Sequence, residues 1–93
     1  MKHQKVGSFL MLHDRRLIIS KTAYRQIRSL SDEKLLQSVN APRNRDYLLV
    51  NTNTGRLVDG NTRLYELKRR GMDETLVPYK EYTPLSLDFL NLE

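Results

Sequence analysis

Apolar positions along the chain follow two kinds of spacing. Residues 5–12, KVGSFLML, and 16–20, RLIIS, are short runs rich in branched and aromatic side chains, with His13-Asp14 between them. They predict two short strands, arranged as a hairpin. From residue 21 the period changes. In KTAYRQIRSL, Ala23, Ile27 and Leu30 fall on one face of a helix, with Lys21, Arg25 and Arg28 nearly opposite. Ser31 is suited to cap a second helix, DEKLLQSV, with Asp32 and Glu33 at the positive end of its dipole. Leu35, Leu36 and Val39 share the face expected to enter the core.

NAPRNRD then breaks the periodicity with Pro42 and turn formers. Arg43 and Arg45, two apart in a loop read as extended, are expected to point the same way. Residues 46–60, DYLLVNTNTGRLVDG, predict a hairpin: a strand over 47–50, a turn at Asn53-Thr54-Gly55, and a return strand over 56–58. A helix is expected over about 62–70, ending at Gly71. DETLVPYKEY follows as a strand, and Pro78 within it predicts an edge position. The fold class read from this order is α+β, a small mixed sheet packed with about three helices. One domain spans 1–83. The apolar tail 84–93 is expected either to dock on it or to meet a protein partner through Leu85, Leu87, Phe89 and Leu90.

Composition narrows the function classes. The chain has 93 residues, 39% hydrophobic and 29% charged, without cysteine. Disulfides, thiolate metal sites and thiol nucleophiles are therefore excluded. No apolar run approaches the roughly 20 residues of a membrane span. FLML is too short for the apolar core of a signal peptide, and the expected address is the cytoplasm. His3 and His13 show no metal-ligand spacing. Of the net +5, the excess lies in the first 30 residues, where seven basic side chains face Asp14 alone. Such a distribution fits a polyanionic partner, and equally a solvated face.

Residues 59–63, Asp-Gly-Asn-Thr-Arg, stand where the second hairpin strand hands over to a helix. A helix starting there presents unpaired N–H groups and the positive end of its dipole. Gly60 removes bulk beside the main chain, Asn61 or Thr62 can cap the helix or bond a ligand oxygen, and Arg63 offers a planar fork for phosphate. The alternative is a well-capped helix with Arg63 paired to Asp59 or Glu66.

The order from residue 31 to about 82, with Val58-Asp59-Gly60-Asn61-Thr62-Arg63, then Gly71, then Leu76-Val77-Pro78, resembles the ParB/sulfiredoxin superfamily. The resemblance covers a little over half the chain. It implies that Gly60, Asn61, Thr62 and Arg63 bind nucleotide or phosphate oxygens, with Asp59 beside them. A nucleoside triphosphate with magnesium is the cofactor it suggests. The chain departs from each branch. Sulfiredoxins need a cysteine in the box. Chromosome-partitioning members usually show Gly-Glu-Arg-Arg, and carry a helix-turn-helix domain after it, which the short tail 84–93 is not expected to supply. Free-serine kinases of this fold place histidines where Asn61 and Thr62 stand.

The expected function is thus a ParB-like module that binds nucleotide or nucleic-acid phosphate at residues 59–63, with Arg43 and Arg45 adding charge. Lys21, Arg25 and Arg28 would contact nucleic acid. The alternatives are a phosphoryl-transfer or nuclease-type enzyme using Asp59 as its acid-base group, and a protein-interaction module that has lost its ligand.

Overall fold

The computed structural model describes residues 1–84; the apolar tail positions Leu85, Leu87, Phe89 and Leu90 lie outside the described residues. The sheet has five strands: β1 (Lys2–Lys5), β2 (Leu10–Met11), β3 (Leu48–Asn51), β4 (Arg56–Asp59) and β5 (Leu76–Tyr82). Their spatial order is β1-β5-β3-β4-β2. β1 and β5 pair antiparallel, as do β3 and β4, whereas β5 with β3 and β4 with β2 are parallel. Four α-helices pack with it: α1 (Arg15–Ile19), α2 (Thr22–Arg28), α3 (Asp32–Asn40) and α4 (Asn61–Arg69). The fold is α+β, with a mixed sheet, as the pattern of elements predicts.

Three local expectations are corrected. Residues 15–19 form α1 rather than a strand, because Asp14 Oδ1 accepts the N–H of Leu17 at 2.9 Å and caps a helical turn. The first strand is instead the polar segment Lys2–Lys5, an edge strand with charged side chains of the kind that discourages further pairing. β5 is not an edge strand: it lies between β1 and β3. Pro78 is accommodated because pairing with β3 starts only at Tyr79.

The core is assembled from both layers. Leu35 and Val39 of α3, Leu64 and Leu67 of α4, and Leu48, Leu57 and Val77 of the sheet are fully buried. Ser31 Oγ accepts the N–H of Lys34 at 3.2 Å, so the start of α3 is capped as expected. The end of α4 closes on Gly71, which takes φ 79°. The N–H groups of Gly71 and Met72 bond the carbonyls of Lys68 and Leu67 at 2.9 and 3.0 Å, a Schellman closure. Helix α4 therefore runs under α2 and α3 with a fixed start and a fixed stop.

Candidate functional site

The strand-to-helix turn is set by one glycine. Gly60 takes φ 92°, a left-handed conformation that turns β4 into α4. A Cβ here would overlap Cδ2 of Leu48 and approach Nη2 of Arg63 to 3.1 Å. The room left by the missing side chain is thus filled by the core. Gly60 is also the N-cap of α4 and supplies no capping side chain. Among the described residues, the N–H groups of Asn61, Thr62 and Arg63 form no hydrogen bond to the protein.

Asn61 does not cap the helix. Its buried side chain accepts the N–H groups of Leu12 at 2.9 Å and His13 at 3.4 Å, and donates to the Leu57 carbonyl at 2.7 Å. Both polar atoms are occupied by protein, so Asn61 pins the loop between β2 and α1 across the start of α4. Arg63 Nη1 donates to the carbonyl of Ser38 in α3 at 2.8 Å. Among the described residues Arg63 forms no ion pair; Glu66 is taken by Arg69 and Arg70.

These groups open onto a cleft of about 700 Å³. One wall is the apolar face of α2, Ala23 and Ile27, continued by Leu30. The sequence grouped these three residues on one apolar face, opposite the basic stripe. Ile27 and Leu30 do pack against the core edge, but α2 is anchored by Tyr24, which is 5% exposed. The lining also includes Asp59, Gly60, Asn61, Thr62 and Arg63. Cationic side chains enter from three further segments: Lys21 before α2, Lys34 on α3, and Arg43 after it.

Other expected residues separate. Arg25 and Arg28 lie on the exposed side of α2 and do not line the cleft, whereas Lys21 does. Arg43 and Arg45 do not act as an extended pair. Residues Arg43–Arg45 form a 3-10 turn, with Asn44 at φ 57° and Arg45 at φ 55°, and only Arg43 lines the cleft. Left-handed backbone at two successive non-glycine residues is uncommon.

Besides Lys34, Asp46 and His13 enter the cleft without having been expected there. Asp46 lines the cleft together with Asp59 and acts on its carboxyl group. The Asp59 carboxyl is pushed up from its ordinary value, first by burial and then by Asp46, while Arg63 and the Gly60 N–H pull it down. The signal was present in the hairpin: pairing Leu49 with Asp59 brings the segment before β3 alongside the turn. His13 arrives through the loop held by Asn61, and Lys21 Nζ sits 3.4 Å from its Nδ1. A lone histidine between apolar runs carries no such signal.

Among the described residues, no group of three or more His, Cys, Asp or Glu side chains could hold a metal ion, and no helix is long and apolar enough to cross a membrane. Comparisons with known protein families, with curated proteins and with solved structures found no match to this chain.

Proposed function

We propose that the protein is a ParB-like module that binds the phosphate of a nucleotide in the cleft between α2, α3 and the start of α4. One observation carries this reading: the uncapped first turn of α4 opens into a cleft together with Arg63, which has no carboxylate partner among the described residues. Oriented N–H groups beside a guanidinium fork favour an anion with several oxygens. The apolar strip Ala23, Ile27, Leu30 gives the uncharged part of such a ligand a surface. The superfamily resemblance is supported by the order of elements, in which α3, a loop, the β3–β4 hairpin, α4, Gly71 and β5 follow one another. A mononucleotide suits the cleft better than a nucleic-acid backbone, because Arg25 and Arg28 lie outside it.

Thermal shift with a panel of nucleotides, with and without magnesium, tests the reading. A nucleotide at 100 times its dissociation constant raises stability by about 2.7 kcal/mol. Absence of a shift with every nucleotide, or an unchanged shift in Arg63→Ala, removes the proposal.

A second reading, a phosphoryl-transfer enzyme, gains from the Asp46–Asp59 pair. Burial and the neighbouring Asp46 carboxyl give Asp59 a raised affinity for a proton, which suits acid-base work. In this reading Asp59→Asn loses turnover of the bound nucleotide. Turnover that persists in Asp59→Asn rules Asp59 out.

A further inference from the structure

The start of α4 and Arg63 account for one anionic group. Three first-turn N–H groups and a guanidinium suffice for the oxygens of a single phosphoryl group. The cleft nevertheless holds a second set of donors from another part of the chain. His13 and Lys21 both line it, with Lys21 Nζ 3.4 Å from His13 Nδ1. With Nδ1 accepting from the ammonium, the ring proton resides on Nε2, which has no partner among the described residues.

Among the described residues neither His13 nor Lys21 forms an ion pair with a carboxylate, although Asp46 and Asp59 line the same cleft. The nearest acid in sequence, Asp14, accepts the N–H of Leu17 as the cap of α1. The pair is also held in place. Asn61 binds the N–H groups of Leu12 and His13 while anchoring itself on the Leu57 carbonyl, so the loop bearing His13 is tied to the first residue of α4. The two donor sets therefore flank one turn. Arg63 reaches across it to α3, and His13 with Lys21 comes from the β2–α1 and α1–α2 connections.

We infer that His13 and Lys21 are ligand-contacting residues that bind a second phosphoryl group, so that the cleft selects a diphosphate-bearing ligand over a monophosphate. This inference rests on the anion-binding reading of the cleft and names its ligand class. Asn61 acts in it as a positioning residue.

Calorimetric titration with inorganic phosphate and with inorganic pyrophosphate, without metal, tests it on the full chain. The wild-type protein is expected to bind pyrophosphate at least about 10-fold more tightly than phosphate, the value of one added charge-assisted contact. Lys21→Ala is expected to abolish most of that preference, and His13→Ala a smaller part, with thermal midpoints close to wild type. Lys80→Ala removes the same charge from exposed Lys80 on β5 and is expected to leave the preference intact.

Equal binding of the two anions by the wild type overturns the inference, as does a preference that survives both Lys21→Ala and His13→Ala. If Arg63→Ala still abolishes binding in those cases, the cleft remains an anion site and only the second subsite falls. Absence of binding by either anion sinks both readings together.

Discussion

The two ends of α4 treat charge in opposite ways. At the C-terminal end, Glu66 is fully buried and every oxygen is matched. Arg69 donates through Nε and Nη2 at 2.7 Å each, Arg70 Nε donates at 2.7 Å, and the Tyr24 hydroxyl donates at 2.9 Å. Arg70 then reaches Asp32 at 2.8 Å and the Leu30 carbonyl at 2.7 Å, closing the α2–α3 corner onto α4. At the N-terminal end, among the described residues, the first-turn amides are uncapped, Arg63 forms no ion pair, and the like-charged Asp46 acts on Asp59. A saturated cluster is what stability requires of buried charge. An unsaturated one at a cleft is what a charged ligand requires of its site. The difference separates scaffold from site within nine residues of one helix.

The largest effect should come from the saturated end. Glu66→Ala leaves two guanidinium groups without their shared acceptor, and removing one partner of a buried charge pair costs about 3–5 kcal/mol. Urea denaturation of the two proteins measures it; a loss below about 1 kcal/mol would show that the cluster is not needed. The pH dependence has a defined sign. Glu66 is held down from 4.5 to about 2, chiefly by its bonds from Arg69, with burial opposing and Arg70 and Tyr24 adding. A depressed carboxylate stabilises the fold above its unfolded value and loses that contribution as pH falls toward 2. Wild type should therefore approach Glu66→Ala in stability in strong acid.

Gly60→Ala comes next, and it acts on the border between the ends. The substitution combines a left-handed backbone with an overlap on Leu48, which is fully buried. Strain and overpacking together should cost about 2–4 kcal/mol. A variant as stable as wild type would mean that the turn relaxes freely.

The same contrast explains what the sequence could reveal. Local rules located α3 through Ser31, the β3–β4 hairpin through its turn, α4 through Gly71, and the box itself. Each of those signals lies within a few residues of the feature it predicts. The strand expected at 16–20 failed because Ile18-Ile19 outweighed the Asp14 cap, although the helix uses only Ile18 as its buried residue. β1 was invisible because KHQK has no apolar alternation; its pairing comes from β5, more than 70 residues away. The site divides in the same way. Asp59, Gly60, Thr62 and Arg63 were legible as a contiguous turn, whereas His13, Lys34 and Asp46 reach the cleft only through tertiary contacts. Asn61 was noticed for its polarity, yet its three partners lie at residues 12, 13 and 57, which no local pattern discloses.

Arg63→Ala probes the unsaturated end of α4. Its one side-chain hydrogen bond among the described residues, to the Ser38 carbonyl, should contribute about 1 kcal/mol, so the fold survives. Ligand affinity should fall by about 10-fold or more, since a charge-assisted contact is removed. Glu66→Ala and Arg63→Ala thus form a crossed pair, one losing stability and the other binding. Titration of both variants with pyrophosphate, beside their urea midpoints, checks this; a loss of stability in Arg63→Ala as large as in Glu66→Ala would show that the two ends of α4 do not differ in role.

The smallest effect has the opposite direction. Asp46→Asn removes a like charge beside Asp59 and should raise stability at neutral pH by about a few tenths of a kcal/mol, the scale of exposed charge pairs. Asp59 has a raised value, so in the wild type the fold binds its proton more tightly than the unfolded chain does. That contribution is present below the ordinary value of 3.8 and disappears as pH rises through the raised one. Asp46→Asn escapes part of the loss, so its advantage should be absent in acid and grow toward neutrality. Thermal midpoints measured from pH 3 to pH 7 would test this. A gain that is constant with pH would mean the two carboxyl groups do not sense each other. Glu66 and Asp59, seven residues apart on the chain, would otherwise report opposite signs in one titration, the matched charge losing stability as pH falls and the like-charged pair losing it as pH rises toward neutrality.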